Sequence, residues 1–193
     1  MARTSTPPGH WQKGRSRRLL RTRVFDVRST EFRHPARAQA RDFIVIDAPD
    51  WVNVLALTPQ HRLVLVEQFR YGTNALSLEI PGGVIERGED PVTAARRELR
   101  EETGYVGGRA RLLGHVHPNP AVQSNRCHLV LVQGVRPTDR VQWDRDEEFA
   151  ILTRTVDRVY AWARQGRITH ALVLDALLLF APIWEKIRRR RPV

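Results

Sequence analysis

Glu98, Glu101 and Glu102 are the residues of this 193-residue chain best placed to do chemistry. They stand at i, i+3 and i+4, which a helix brings side by side on one face. Like charges so placed repel and weaken a helix unless a cation sits among them. Oxygen ligands of this kind suit Mg²⁺ or Mn²⁺. A solvated acidic face is the common fate of glutamate-rich runs, but it accounts for the glutamates alone. Asp90-Pro91 reads as an N-cap followed by proline in the first helical turn. Val92, Ala95 and Leu99 recur at spacings of three and four, a core-facing stripe. Gly104 stands where a left-handed residue stops a helix. Pro81-Gly82-Gly83 suits a tight turn with close backbone approach to a ligand. The stretch therefore reads as loop, helix, loop, with its acids on one face.

Gly83, Glu89, Arg97, Glu98, Leu99, Glu101, Glu102, Gly104 and Tyr105 match every specified position of the Nudix box. The chain resembles the Nudix hydrolases, which cleave a nucleoside diphosphate linked to a further group. That resemblance implies Glu98 and Glu102 as the main ligands of a divalent metal, with Glu101 sharing the site and the carbonyl of Gly82 completing it. Arg97 lies four residues before Glu101 and can pair with it, orienting the carboxylate rather than touching substrate. Glu89 is expected to hold the loop against the helix. Arg96 and Arg100 are not box positions and solvate the outer face.

Outside the box, Pro120 falls fifteen residues after Tyr105 within His117-Pro118-Asn119-Pro120-Ala121. This resembles the family branch that hydrolyses ADP-ribose and related nucleoside diphosphate sugars, although a lone loop proline is ordinarily a turn residue. Glu67-Gln68-Phe69-Arg70 resembles the same branch, in which the arginine contacts the diphosphate or terminal sugar. A guanidinium can bind phosphate bidentately; the plain alternative is an exposed strand-end arginine. Glu79 is a candidate acceptor for sugar or base. Trp51 is a candidate for stacking on adenine, with core packing an equal alternative. In relatives the general base often comes from an acidic loop after the box. The matching loop is Asp144-Arg145-Asp146-Glu147-Glu148, where Glu147 is the first choice and Asp144, Asp146 and Glu148 are rivals. His115, His117, His128 and His170 lack a convincing metal spacing.

Positioning these residues requires strands around the box helix. Residues 1–16, with Pro7-Pro8-Gly9, read as a disordered basic start. Residues 17–48 read as a small β subdomain with strands beginning at Leu19-Leu20 and covering Val24–Val27 and Phe43–Ile46. Such a sheet is too small to bury much apolar surface alone. In the ADP-ribose pyrophosphatase branch it builds a domain-swapped dimer, so a homodimer is expected. Residues 49–193 form the remaining domain. Strands are expected at Trp51–Leu57, Leu63–Phe69, Leu76–Ile80, Arg111–His115, His128–Val135 and Phe149–Leu152. Helices are expected at Thr155–Gln165 and from about Thr169. The pattern fits an α/β fold, the α/β/α sandwich with mixed sheet of Nudix proteins.

The net charge of +11 invites a nucleic-acid reading. Its distribution argues against a specific one. Residues 1–41 carry +9, residues 186–191 hold five cations, and residues 42–185 carry −3. The basic ends suit genomic composition or contact with polyanions. One cysteine, Cys127, excludes an intramolecular disulfide. No apolar run reaches transmembrane length, and the basic start lacks an apolar signal core, so a cytoplasmic protein is expected. The leading expectation is a Mg²⁺-dependent pyrophosphatase of nucleotide sugars. RNA decapping or pyrophosphohydrolysis rests only on the basic ends. A non-hydrolysing ADP-ribose sensor is opposed by the intact box.

Overall fold

A computed structural model describes residues 7–143 and 148–189. The chain divides into two compact units. One runs up to Pro49 and includes Asn119–Asn125; the other comprises Asp50–Pro118 and the chain from Arg126 onward.

The first unit is an antiparallel meander of β1 (Gln12–Arg21), β2 (Asp26–Arg33) and β3 (Ala40–Asp47). β1 opens at Gln12, five residues ahead of the expected boundary, and pairs Gln12 with Arg33. Its sequence is polar and basic, so apolar alternation could not announce it. Trp11 anchors the start, edge-on to His34 at 5.2 Å and to Phe43 at 6.0 Å. Every residue of β1 is exposed, and Leu19, Leu20, Phe43 and Ile44 leave apolar surface in solvent. The segment 119–125 attaches to β3 through Ile46 N donating to the Val122 carbonyl (2.7 Å) and Ser124 N donating to the Ile46 carbonyl (3.0 Å).

The second unit is built on a seven-stranded sheet. Its elements run β4 (Trp51–Leu57), β5 (Arg62–Arg70), β6 (Ala75–Glu79), β7 (Gly82–Val84), α1 (Pro91–Thr103), β8 (Tyr105–Val106) and β9 (Arg109–Val116). They continue with β10 (Cys127–Gln133), β11 (Arg136–Pro137), β12 (Ala150–Thr155), α2 (Val156–Arg164) and α3 (Ala171–Arg189). The order is β12-β5-β4-β10-β9, with β6 beside β5 and β7 beside β4, while β8 and β11 form a separate ribbon. β4 and β10 are parallel and the other pairs antiparallel, so the sheet is mixed.

Strand alternation divides the core. Val52, Val54 and Ala56 of β4, with Val130 and Val132 of β10, meet Ala94, Ala95 and Leu99 of α1. Leu55, Leu57, Leu129 and Leu131 face the other way, onto Val159, Trp162, Leu172, Ala176 and Phe180 of α2 and α3. Small and β-branched side chains lie under α1, larger ones under the two-helix layer. Burial on both faces explains why β4 and β10 read as nearly continuous apolar runs. Cys127 is fully buried, and burial pushes its thiol up to about 12, which removes it from nucleophilic chemistry.

Candidate active site

The box helix begins as its residue types dictate. The Asp90 carboxylate accepts from Val92 N (3.0 Å) and Thr93 N (3.1 Å), and Pro91 occupies the first turn. Gly104, at φ 69°, closes the helix by donating its N–H to the Arg100 carbonyl at 2.8 Å. Further carbonyls at this end are met by the segment after β11. Thr138 N and Asp139 N both donate to the Gly104 carbonyl, Gln142 N to the Glu101 carbonyl (2.8 Å), and Trp143 Nε1 to the Glu102 carbonyl (2.8 Å). Carbonyls left open at a helix end require such partners.

Glycines let β7 lie against this helix. A Cβ on Gly83 would stand 2.5 Å from the Glu98 carboxyl carbon, and one on Gly82 would collide with the Val52 carbonyl. Gly82 N donates to Glu102 Oε2 at 3.0 Å. The turn before the box and the helix are thus joined through one buried carboxylate.

Arg97 organises the rest. Its Nε and Nη2 grip Glu89 at 3.0 and 2.9 Å, Nη1 reaches Glu98 Oε1 (2.8 Å) and Glu101 Oε2 (3.2 Å), and Nη2 also donates to the Val84 carbonyl (3.0 Å). Glu89 in turn accepts from Glu86 N at 3.0 Å. The hydrogen bonds from Arg97 hold the Glu89 carboxyl below its ordinary value against the opposing effect of burial. The bond to Glu101 follows from i, i+4 spacing. The bidentate grip on Glu89, across the loop, has no such spacing rule, although both residues are box positions.

At the ends of β5 and β6 a second pair forms. Arg70 Nε and Nη2 donate to Glu79 Oε1 and Oε2 at 2.8 and 2.6 Å. The Glu79 side chain is 3% exposed and that of Arg70 43%. Burial pushes the Glu79 carboxyl up, but hydrogen bonding and charge from Arg70 outweigh it and hold it low. His170 Nε2 lies 3.7 Å from Glu79 Oε2, and burial lowers the pKa of that imidazole.

The sequence-predicted residues therefore fall into several groups. Glu98, Glu101, Glu102, Arg97 and Gly82 are gathered at α1 and β7. Arg70 and Glu79 are brought together as each other's partners. Trp51, half-buried at the start of β4, packs against the core. Pro120 is carried by the first unit, exposed in the turn in which Val122 N and Gln123 N donate to the Asn119 carbonyl. Asp144, Asp146 and Glu147 lie outside the described residues, and Glu148 is exposed. Gln142 and Trp143, which cap the box helix, carry no local signal that would single them out.

The NUDIX domain family matches residues 49–173. This chain belongs to the Nudix family. Similar proteins include a methanol dehydrogenase activator of Bacillus methanolicus, 32% identical over 64% of this chain and 68% of its own. An ADP-ribose pyrophosphatase of Bacillus subtilis is 30% identical over 58% and 62% of the two chains. An ADP-sugar pyrophosphatase of Mus musculus is 42% identical over 45% and 40%. The matched stretch thus takes in about two thirds of the first relative's length and less of the other two. A crystal structure of an ADP compounds hydrolase superposes with a TM-score of 0.82 at 22% identity, covering 97% of this chain and 100% of that one. That likeness establishes the Nudix fold, with its mixed sheet, helices and small antiparallel N-terminal sheet.

Membership makes the chain a Nudix hydrolase, and hydrolases of this family generally use a divalent metal. The donor set fits such an ion: three carboxylates on one helix face, with β7 backbone packed closely enough on Glu98 to exclude a side chain. Among the described residues no three His, Cys, Asp or Glu side chains are already drawn together as a cage. In this state Arg97 bridges Glu98 and Glu101, and Gly82 N engages Glu102. Among the described residues, no helix is long and apolar enough to cross a membrane.

Proposed function

We propose that the protein hydrolyses the diphosphate bond of ADP-ribose or a related nucleoside diphosphate sugar with Mg²⁺, releasing a nucleoside monophosphate and a sugar phosphate. The arrangement that carries this reading is the set of Glu98 and Glu101, ordered by Arg97, with Glu102, which accepts from Gly82 N of the Gly82–Val84 strand. Glu98 and Glu102, with Glu101 and the Gly82 carbonyl, are the groups that would hold the metal; Mn²⁺ is the natural substitute. When bound, the ion would neutralise phosphate charge and lower the pKa of the attacking water.

The protein's own groups do the rest. Arg97 orients the Glu98 and Glu101 carboxylates through its Nη1. Arg70 presents its Nη1 side to anionic oxygens while Glu79 holds Nε and Nη2. Glu147 is the proposed acceptor of the water proton, with Asp144, Asp146 and Glu148 as rivals. Trp51 and Pro120 are proposed substrate contacts. The same proposal includes a cytoplasmic homodimer formed through the N-terminal sheet, because β1 and the exposed Leu19, Leu20, Phe43 and Ile44 leave an edge and an apolar face for a second copy. Light scattering at micromolar concentration should give twice the chain mass, and a monomer would remove the dimer.

The deciding measurement is a panel of ADP-ribose, ADP-glucose, GDP-mannose, NADH, diadenosine polyphosphates and capped RNA, each with Mg²⁺ and product identification. AMP and ribose phosphate from ADP-ribose at the highest kcat/KM are expected. Preference for capped RNA would replace this reading with decapping, and binding without turnover would make the protein a sensor.

A further inference from the structure

The second unit gathers three imidazoles on one face of its sheet. His115 of β9 sits directly opposite His128 of β10 in the antiparallel ladder. His117 follows two residues after His115, the spacing that returns a side chain to the same face of extended chain. The ring centroids of His115 and His128 are 5.8 Å apart, and those of His115 and His117 are 5.7 Å apart. Two imidazoles sharing one tetrahedral ion, with metal–nitrogen bonds of about 2 Å, bring their rings to roughly 5–6 Å. The observed spacing is that of potential co-ligands.

The inner ring of the three is the most constrained. His128 Nε2 lies 2.9 Å from Asp50 Oδ2, and Asp50 Oδ1 accepts from Arg126 N at 2.8 Å. With Nε2 directed at the Asp50 carboxylate, the neutral tautomer that donates there leaves its lone pair on Nδ1. That Nδ1 is buried and has no hydrogen-bond partner. A carboxylate on one ring nitrogen and a lone pair on the other is how metal-ligating histidines are oriented. His115 and His117 are exposed, β9 being the last strand in the sheet order, so their rings can turn without disturbing the core.

We propose that His115, His117 and His128 form a three-imidazole site for one Zn²⁺-type divalent ion, with Asp50 orienting His128 and a fourth position left to water. The rings are not yet closed on one point; rotation of the two exposed side chains brings them in. Nitrogen donors set this site apart from the box, because imidazole suits Zn²⁺, Ni²⁺ or Cu²⁺ whereas carboxylate suits Mg²⁺. The bound ion pins the edge strand β9 to β10.

Co²⁺ is the probe, added to the full chain in a large excess of Mg²⁺ that fills oxygen-only sites. Equilibrium dialysis should retain one Co²⁺ per chain with the intense visible absorption of tetrahedral coordination, displaced by Zn²⁺. His115→Ala and His117→Ala should each weaken retention at least about tenfold, and Asp50→Asn about 10- to 100-fold. Glu98→Gln and Glu102→Gln should leave it unchanged. Since His115 and His117 are exposed, their variants remain informative even if Asp50→Asn misfolds. The site is overturned if no Co²⁺ is retained against Mg²⁺, if both exposed-histidine variants retain it fully, or if Glu98→Gln abolishes it.

Discussion

Arg97 and Arg70 each hold a glutamate through two nitrogens, Arg97 a residue eight positions away and Arg70 one nine positions away. Beyond that pair they part. Arg97 continues to Glu98, Glu101 and the Val84 carbonyl, so one cation ties together a loop, a strand and three carboxylates. Arg70 meets a single carboxylate that is almost fully buried, while its own side chain is only half-buried. The first guanidinium is spent on organisation; the second retains donors facing outward. Position in the fold explains the difference. Arg97 sits mid-helix among acids placed by helical spacing, whereas Arg70 stands at the end of a hairpin where solvent begins.

The largest effect should come from the box carboxylates, Glu98 held by Arg97 and Glu102 by Gly82 N. Glu98→Gln and Glu102→Gln are expected to lose several kcal/mol of charge stabilisation in the reaction, on the order of 10³-fold in kcat. Thermal stability should hold, because relief of like-charge repulsion offsets the lost contacts. Steady-state kinetics at saturating Mg²⁺ with ADP-ribose tests this; near-wild-type turnover in either variant removes that residue from the site.

Arg97→Ala tests organisation itself. It leaves Glu89, Glu98 and Glu101 without their shared cation, which should cost about 2 kcal/mol, below the range for a fully buried pair because these side chains are part-buried. Loss of an orienting partner should lower activity about 10- to 100-fold. The pH dependence has a definite sign. Arg97 depresses the folded-state pKa of Glu89, so the stabilisation is present above the ordinary value of 4.5 and is lost as pH falls through the depressed value. Urea titrations from pH 7 to pH 3 should show the gap between wild type and variant closing at the acid end. A constant gap would mean that the ion pair is not its cause.

These two arginines also mark how far the sequence can be read. The box helix, its caps and the pairing of Arg97 with Glu101 depend on residues within a turn or two, where spacing dictates contact. β4 and β5 were legible for the same reason, as apolar runs bounded by a turn. Glu79 and Arg70 each stood out singly, but their pairing depends on the β5–β6 register, in which Val66 faces Glu79 and Arg70 faces Ala75. Register is not written in either strand alone. The attachment of residues 119–125 to β3 and the ladder placing His115 opposite His128 are invisible for that same reason. The three histidines lack a helical or finger-like spacing, and His128 meets the other two only across strands.

Arg70→Ala sharpens the comparison from the other side. Sequence alone suggests that losing a strand-end arginine changes stability little, but the structure shows that it strands a buried carboxylate. With the exposed side of Arg70 screened by solvent, the cost should be about 2 kcal/mol. Adding Glu79→Gln should recover most of that stability. If Arg70 also contacts substrate, kcat/KM for ADP-ribose should stay about 10- to 100-fold down in both variants; recovery of activity along with stability would make the pair purely structural. His170 supplies a second readout. Burial depresses its pKa against the opposing charge of Glu79, with a smaller depression from Arg70, so wild type loses stability as pH falls through the ordinary histidine value of 6.5. Removing Arg70 relieves part of that depression, and the stability gap should narrow below that pH.

Asp90→Ala should give the smallest effect, and its size separates scaffold from chemistry. The Asp90 carboxylate satisfies two N–H groups at the start of α1 and touches none of the box carboxylates in the hydrogen bonds described. Losing an N-cap costs about 1 kcal/mol. Pro91 still occupies the first turn and Gly104 still closes the last, so the helix remains and its glutamates keep their spacing. Thermal melting should therefore fall by a few degrees in a domain of this size, while kcat at saturating Mg²⁺ stays within about twofold, since an error of less than half a kcal/mol in the barrier is all that a small shift at the far end should cause. A much larger loss of kcat with the fold intact would show that the box carboxylates depend on the helix start as well as on Arg97, and the contrast drawn between organiser and cap would fail.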